Sequence, residues 1–237
     1  MRLALGCLLL CACRAQEPPP TPARWFIARE NVTATDDPAV QLRRGNGVRI
    51  VDTRGATGRS SEGRWFPLRA FEVANVALSQ PAEPPQHVEL PGGVGASDRW
   101  IDVDVAHQRV IAYEGTSARK AMKASTGVGE DGAPYSTPRG IFRIYAKLRS
   151  TIMSSEPGDP HPYRFEAVPT VQYFNREIAL HGAYWHRRFG ERLSHGCVNL
   201  APDDAAWLFD FTTPRLATSE REKATDPGKP GTLVRVR

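Results

Sequence analysis

The residues best suited to chemistry in this chain form one short run, Ser194-His195-Gly196-Cys197-Val198-Asn199. A second histidine, His181, lies sixteen positions before the cysteine and is followed by Gly182. A thiol attacks a carbonyl only as thiolate, and an imidazole supplies that state by taking the proton or by stabilising the anion. Histidine titrates in the range that such exchange needs near neutral pH. Gly196 has no Cβ, so the chain can turn sharply there and aim backbone N–H groups at a developing oxyanion. The bland alternative is an inert buried cysteine, and His195 and Gly196 beside the thiol weigh against it. His181, His186, His195 and Cys197 are also four potential zinc ligands within seventeen residues. Their spacing fits no zinc motif, and His-Gly-Cys already suits a thiol mechanism, so no metal is expected.

The hexapeptide resembles the signature of the L,D-transpeptidase catalytic domain, the YkuD family. That signature reads Ser or Thr, His, Gly, Cys, an aliphatic residue, then Asn or Arg, with His-Gly or His-Ser upstream at about this distance. Ser125-Thr126-Gly127 and Thr137-Pro138-Arg139-Gly140-Ile141-Phe142 resemble two further blocks of the family, in the right order. The resemblance covers about residues 99–237. It implies a mostly-β, L,D-transpeptidase-like β-sandwich, with a short helix after the cysteine and a long lid above it. It further implies that Cys197 attacks the carbonyl between an L-centred and a D-centred residue of a peptidoglycan stem tetrapeptide. His181 would take the thiol proton, and terminal D-alanine would leave. An amine from a second stem peptide, or from an envelope protein, would resolve the thioester. His195 is expected to orient the site or bind substrate. Ser194 and Asn199 are expected to brace the loop through its backbone, with Gly182 and Gly196 near the oxyanion. Tyr173, together with Tyr163 and Phe165, is expected to line a substrate groove. No cofactor is implied. Two rival readings stay open: a hydrolase or L,D-carboxypeptidase using the same Cys-His site, and a non-enzymatic wall-binding lipoprotein.

These residues need export and a frame. Leu3 to Ala12 is an apolar run behind Arg2, too short to span a bilayer and suited to a secretory signal. Leu10-Cys11-Ala12-Cys13 resembles a bacterial lipobox, with Cys13 as the lipidated residue that would tie the protein to a membrane. The remaining cysteines are 7, 11 and 197, so a chain cut before Cys13 has no intramolecular disulfide available. Residues 14–23 are rich in proline and read as a tether. The net charge is +5, with 41% apolar and 24% charged residues. This permits a packed core and suits an anionic envelope surface. Basic residues are scattered without an aromatic ladder, which argues against nucleic acid.

Short apolar runs between turn residues over 24–78 predict a small β-rich domain, faintly similar to a bacterial SH3-like module. Prolines and glycines over 79–98 mark a linker. From Trp100, alternating Ile101, Val103 and Val105 predict a strand that turns through His107-Gln108 into a hairpin. Asp102 and Asp104, on the other face of that strand, read as solvated. Lys120–Thr126 and Ile141–Tyr145 read as strands. Lys147 to Asn175, with four prolines, reads as a long irregular lid. Glu177–Leu180 reads as a strand delivering His181. Pro202, Asp203 and Asp204 predict a helix start, and Ala205, Leu208 and Phe209 its apolar stripe. Thr232–Val236 reads as a closing strand. His186, Arg187 and Arg188 read as an exposed loop.

Overall fold

The computed structural model describes residues 24–237. The expected export segment with Cys13 and the tether of 14–23 lie outside the described residues.

Seven short strands occupy residues 24–73: β1 (Arg24–Ala28), β2 (Val32–Thr33), β3 (Gln41–Leu42), β4 (Gly47–Arg54), β5 (Thr57–Ser60), β6 (Trp65–Pro67) and β7 (Phe71–Val73). β1 lies between β4 and β7, antiparallel to both. Inward residues such as Leu42, Val48, Ile50, Phe66 and Phe71 form a separate small core, as period-two alternation requires when one face is buried.

Residues 74–98 contain no regular strand, because prolines there cannot donate to a ladder. The expected linker is nevertheless strapped to the larger region. Lys123 donates its N–H to Gln80 O at 2.7 Å, and Ala82 donates to Ala121 O. The buried Asp204 carboxylate accepts from Gln80 N–H at 2.7 Å and from Ser79 Oγ. It also pairs with Lys120 Nζ at 2.7 Å.

The larger region holds β8 (Arg99–Asp104), β9 (Arg109–Glu114), β10 (Ser117–Ser125), β11 (Gly140–Arg143), β12 (Ala146–Ser154), β13 (Arg164–Asn175), β14 (Ile178–Gly182), β15 (Val198–Leu200), β16 (Glu222–Ala224) and β17 (Leu233–Val236). Between β15 and β16 runs one helix, α1 (Pro202–Phe211). The sheet path is β11-β17-β8-β9-β10-β15-β14-β13, continuing through β4 and β1 to β7. The fold is mostly β, as the resemblance implies. Ile101, Val110, Met122, Leu180, Val198 and Leu208 sit in its main core, between strands and helix. Pro202 opens α1, Asp203 and Asp204 occupy its first turn, and Ala201 makes no side-chain cap. Its last carbonyls are met by the buried Lys147 ammonium, which binds Phe209 O and Thr212 O. A cation is favoured at that end of a helix, although burial pulls Lys147 down to about 7.

Two expectations need correction. The stretch from Lys147 to Asn175 is no irregular loop. It is the long antiparallel hairpin of β12 and β13, with register breaks between Thr151 and Met153. Pro157, Pro160 and Pro162 crowd its tip, and Pro169 sits inside β13 opposite Ser150. Left-handed backbone at Ala167 and Thr170 absorbs the irregularity around that proline. Second, Asp102 and Asp104 are 0% and 1% exposed, not solvated. Arg235 and Arg237 reach Asp102, while His107, Arg109 and Arg237 reach Asp104. Period-two patterning shows which face a residue takes, but not whether distant arginines cover that face.

Candidate active site

β14 and β15 are parallel neighbours, with Leu180 opposite Val198 and His181 opposite Asn199. His181 stands near the end of β14, and Cys197 immediately precedes β15. Strand pairing therefore closes a separation of sixteen residues. β15 also pairs with β10, placing Ser125 opposite Asn199.

The three sequence blocks meet at this point. Leu193 and Ser194 donate backbone N–H groups to Thr126 O, and Val128 donates to Ser194 O. Thr137 Oγ1 accepts from Gly127 N–H at 2.9 Å and donates to Gly196 O at 2.8 Å. A Cβ at Gly127 would lie 2.1 Å from Tyr135 O, so only glycine permits that approach. Gly196 has φ +120°, and a Cβ there would meet Ile178 Cδ1 at 2.8 Å. Ser194 Oγ accepts from Gly196 N–H at 3.1 Å and donates to Cys197 O. The loop is thus bound to itself through a single hydroxyl.

His181, Ser194, His195, Cys197 and Asn199 all line one cavity of about 330 Å³. Its walls are apolar: Met153, Tyr163 and Phe165 from the β12–β13 hairpin, then Ile178, Trp185 and Leu193. Trp185 stacks on Phe165 with centroids 3.8 Å apart and lies 5.7 Å from the His181 ring. His195 is held between Tyr135 at 4.5 Å and Tyr163 at 4.8 Å, and its Nε2 is buried without a partner. Sequence patterning gave no site role to Trp185, Met153, Leu193 or Glu177, and it placed Thr137 only within a family block. Trp185 sits four residues after His181, and that proximity was the one available signal.

Other expected site residues fall elsewhere. Gly182 and Tyr173 are outside the cavity lining. A Cβ at Gly182 would approach Pro169 and Pro202, so this glycine serves close packing. Tyr173 stacks on Tyr145 at 6.1 Å. Asn199 does not brace the loop backbone; its Nδ2 faces His186 Nε2 at 3.2 Å, and its Oδ1 is buried without a partner. His186 is half-buried against Phe189, while Arg187 and Arg188 beside it are exposed. The Gly196 N–H is already committed to Ser194.

Burial governs the electrostatics. His181 is 2% exposed, and desolvation pushes it down to about 4, against the opposing pull of the Gly182 carbonyl. Its Nδ1 donates to that carbonyl at 3.2 Å, which leaves the Nε2 lone pair free. The Cys197 thiol opens to the cavity yet is crowded by protein on its other sides. Burial there pushes it up to about 11; a bond from the Ala179 backbone opposes the rise, and the Glu177 carboxylate adds to it. Its Sγ faces Glu177 O at 3.7 Å. Both groups therefore rest neutral, and a proton would leave the sulfur only as it attacks.

The model of the L,D-transpeptidase catalytic domain, YkuD, matches residues 98–236, and the chain belongs to that family. L,D-transpeptidase 1 of Mycobacterium tuberculosis is 31% identical over 180 residues, covering 70% of this chain and 67% of that protein. The probable L,D-transpeptidase ErfK/SrfK of Salmonella typhimurium is 29% identical over 143 residues, covering 53% of this chain and 44% of that protein. Among solved structures, an L,D-transpeptidase from Mycobacterium smegmatis is 24% identical, with a TM-score of 0.47. It covers 73% of this chain and 72% of its own.

Proposed function

We propose that this chain is an exported enzyme that cross-links peptidoglycan stem tetrapeptides through a thioester on Cys197. The observation that carries this reading is the pairing of β14 with β15, which brings His181 and Cys197 to one apolar-walled cavity with His181 neutral. Sulfur attacks the carbonyl of the third stem residue while His181 Nε2 takes the thiol proton. The tetrahedral oxyanion forms beside the cysteine loop. The Gly196 amide is engaged by Ser194, so the Cys197 amide is the loop's donor, worth a few kcal/mol by analogy with other oxyanion sites. His181 then protonates the departing D-alanine amine, and the C–N bond breaks. A second amine attacks the thioester, and thiol and imidazole return to their resting forms. The apolar walls exclude water that would otherwise compete with that amine. Export through residues 1–13, with a lipid anchor on Cys13, would bring the site to the cell wall.

The test is direct. Incubation with a carbapenem should add one acyl group to the intact mass of the protein and none to a Cys197→Ala variant. Incubation with tetrapeptide muropeptides should give dimers. Tripeptide monomers alone would assign hydrolysis instead. Unchanged product yield from Cys197→Ala would refute covalent catalysis.

A further inference from the structure

The turn between β13 and β14 sets two opposite charges, Arg176 and Glu177, beside the nucleophile. Glu177 lines the thiol cavity and is its one charged side chain apart from the histidines, among the described residues. It also lines a second cavity of about 520 Å³, together with Pro138, Asn175, Arg176 and Ile178. Glu177 and Ile178 line both cavities. Both charged side chains are exposed, and neither takes part in an ion pair or a side-chain hydrogen bond among the described residues. The backbone that carries them is held firmly. Arg176 adopts φ +47°, its carbonyl accepts from Tyr145 Oη, and Glu177 O faces Cys197 Sγ.

A carboxylate in this place opposes the first half of the reaction. Its charge helps to keep the cysteine protonated, whereas attack needs the thiolate. What a carboxylate at a cavity wall favours is a cation. An acceptor amine is such a cation before it reacts, since aliphatic ammonium groups lose their proton well above neutral pH. An arginine one residue away, facing the second cavity, suits a carboxylate held in a fixed fork.

We propose that the Arg176-Glu177 turn is the acceptor-reading element of this enzyme, taking an amine whose own carbon also bears a carboxylate. This rests on the thioester reading above and selects among its acceptors. The zwitterionic end of an amino acid enters by the second cavity, with its ammonium toward Glu177 and its carboxylate toward Arg176. The ammonium first gives one proton to the Glu177 carboxylate and from there to water; as the neutral nitrogen then attacks the thioester carbonyl, its second proton passes to His181 Nε2. The C–S bond breaks, an amide forms, and the sulfur leaves as thiolate and recovers that proton. A simple lysine side chain has no carboxylate on its amine-bearing carbon, so it satisfies only half of this recognition.

The experiment separates the two half-reactions. The protein is acylated with a tetrapeptide, and D-alanine release and intact mass report the first step. The second step is followed with three probes: D-methionine (a zwitterion), D-methioninamide (a cation) and hydroxylamine, which is largely neutral at pH 7. Glu177→Gln should lower kcat/KM for both D-methionine and its amide by about ten-fold, the size of one lost charge-assisted contact. Reaction with hydroxylamine should hold, and acylation should become faster, because a charge opposing the thiolate is gone. Arg176→Gln should lower kcat/KM for D-methionine alone, by about ten-fold. Equal losses for all three probes, or no loss for D-methionine, would overturn the assignment while leaving the thioester intact. Absence of any acyl-enzyme in the unaltered protein would remove the thioester reading, and this inference with it.

Discussion

Of the places where this molecule draws titratable groups out of water, two give opposite results. At the Cys-His site, His181 and Cys197 meet no countercharge. Burial drives each toward its neutral form, to about 4 for the imidazole and about 11 for the thiol. At the β8 end of the same sheet, Asp102 and Asp104 are buried as deeply, but arginines from β9 and from the C-terminal strand close over them. Burial opposes ionisation of Asp104, yet bonds from His107 and Arg109 and the charge of Arg237 hold its carboxyl below the ordinary range. Depth alone therefore does not decide charge; the partners at that depth do. One site leaves its groups neutral, and the other fastens strands together through its ion pairs.

The comparison can be broken most severely at His181. His181→Gln keeps a polar side chain but removes the proton acceptor. Acylation by a carbapenem should fall by about 10²–10⁴-fold, the usual range for a general base. A fall under ten-fold would show that a different group takes the proton. At the other pole, Asp102→Asn should leave Arg235 and Arg237 poorly compensated and cost about 3 kcal/mol in urea unfolding. The lower end of the range for buried pairs applies because both arginines keep some solvent contact. Acylation rate should be nearly unaffected in that variant. A stable Asp102→Asn would mean that the cluster contributes little.

Acidity sharpens the contrast. His181 and His186 are both pushed down to about 4 by burial, against an ordinary value of 6.5. Between those values the unfolded chain binds protons that the folded chain refuses, so stability rises with pH. The stability present above pH 6.5 should be lost as pH falls toward 4, by about 3 kcal/mol for each histidine. Thermal melts across that window test this, and a flat Tm would contradict it. Replacing His186 with Phe should flatten part of the slope. The smallest effect should come from the N-terminal unit. Trp25 stacks on Tyr184 at 5.3 Å and donates Nε1 to Ala167 O on the β12–β13 hairpin. Gly47 pairs with Phe165 on the outer side of the same cavity wall. Trp25→Ala should cost about 1 kcal/mol, below the full-burial range because the ring is only half-buried. It should also slow acylation a few-fold by loosening Phe165. Unaltered acylation would make residues 24–73 a spacer with no part in the site.

Much of this was legible from local patterns. Alternation gave β8 and β9, the proline and acidic start gave α1, and the spacing of Ser194 to Asn199 pointed to thiol chemistry. Pro169 misled, since a proline normally ends or edges a strand; here irregular pairing and left-handed backbone accommodate it within β13. The aspartates misled because the arginines that cover Asp102 lie more than 130 residues away in the chain. Asn199 misled because its partner, His186, approaches from a loop whose neighbouring arginines advertise exposure.

What the sequence by itself determined was the chemistry in hand: a thiol at Cys197, one histidine two places before it and another sixteen places before it, glycines where the loop must turn, and a largely β chain to hold them. Only the tertiary structure decided which groups share a cavity and which are charged. Both depend on long-range strand pairing, since a neighbouring strand can supply a countercharge or withhold one. At Asp104 the sheet supplies it, and at His181 it does not.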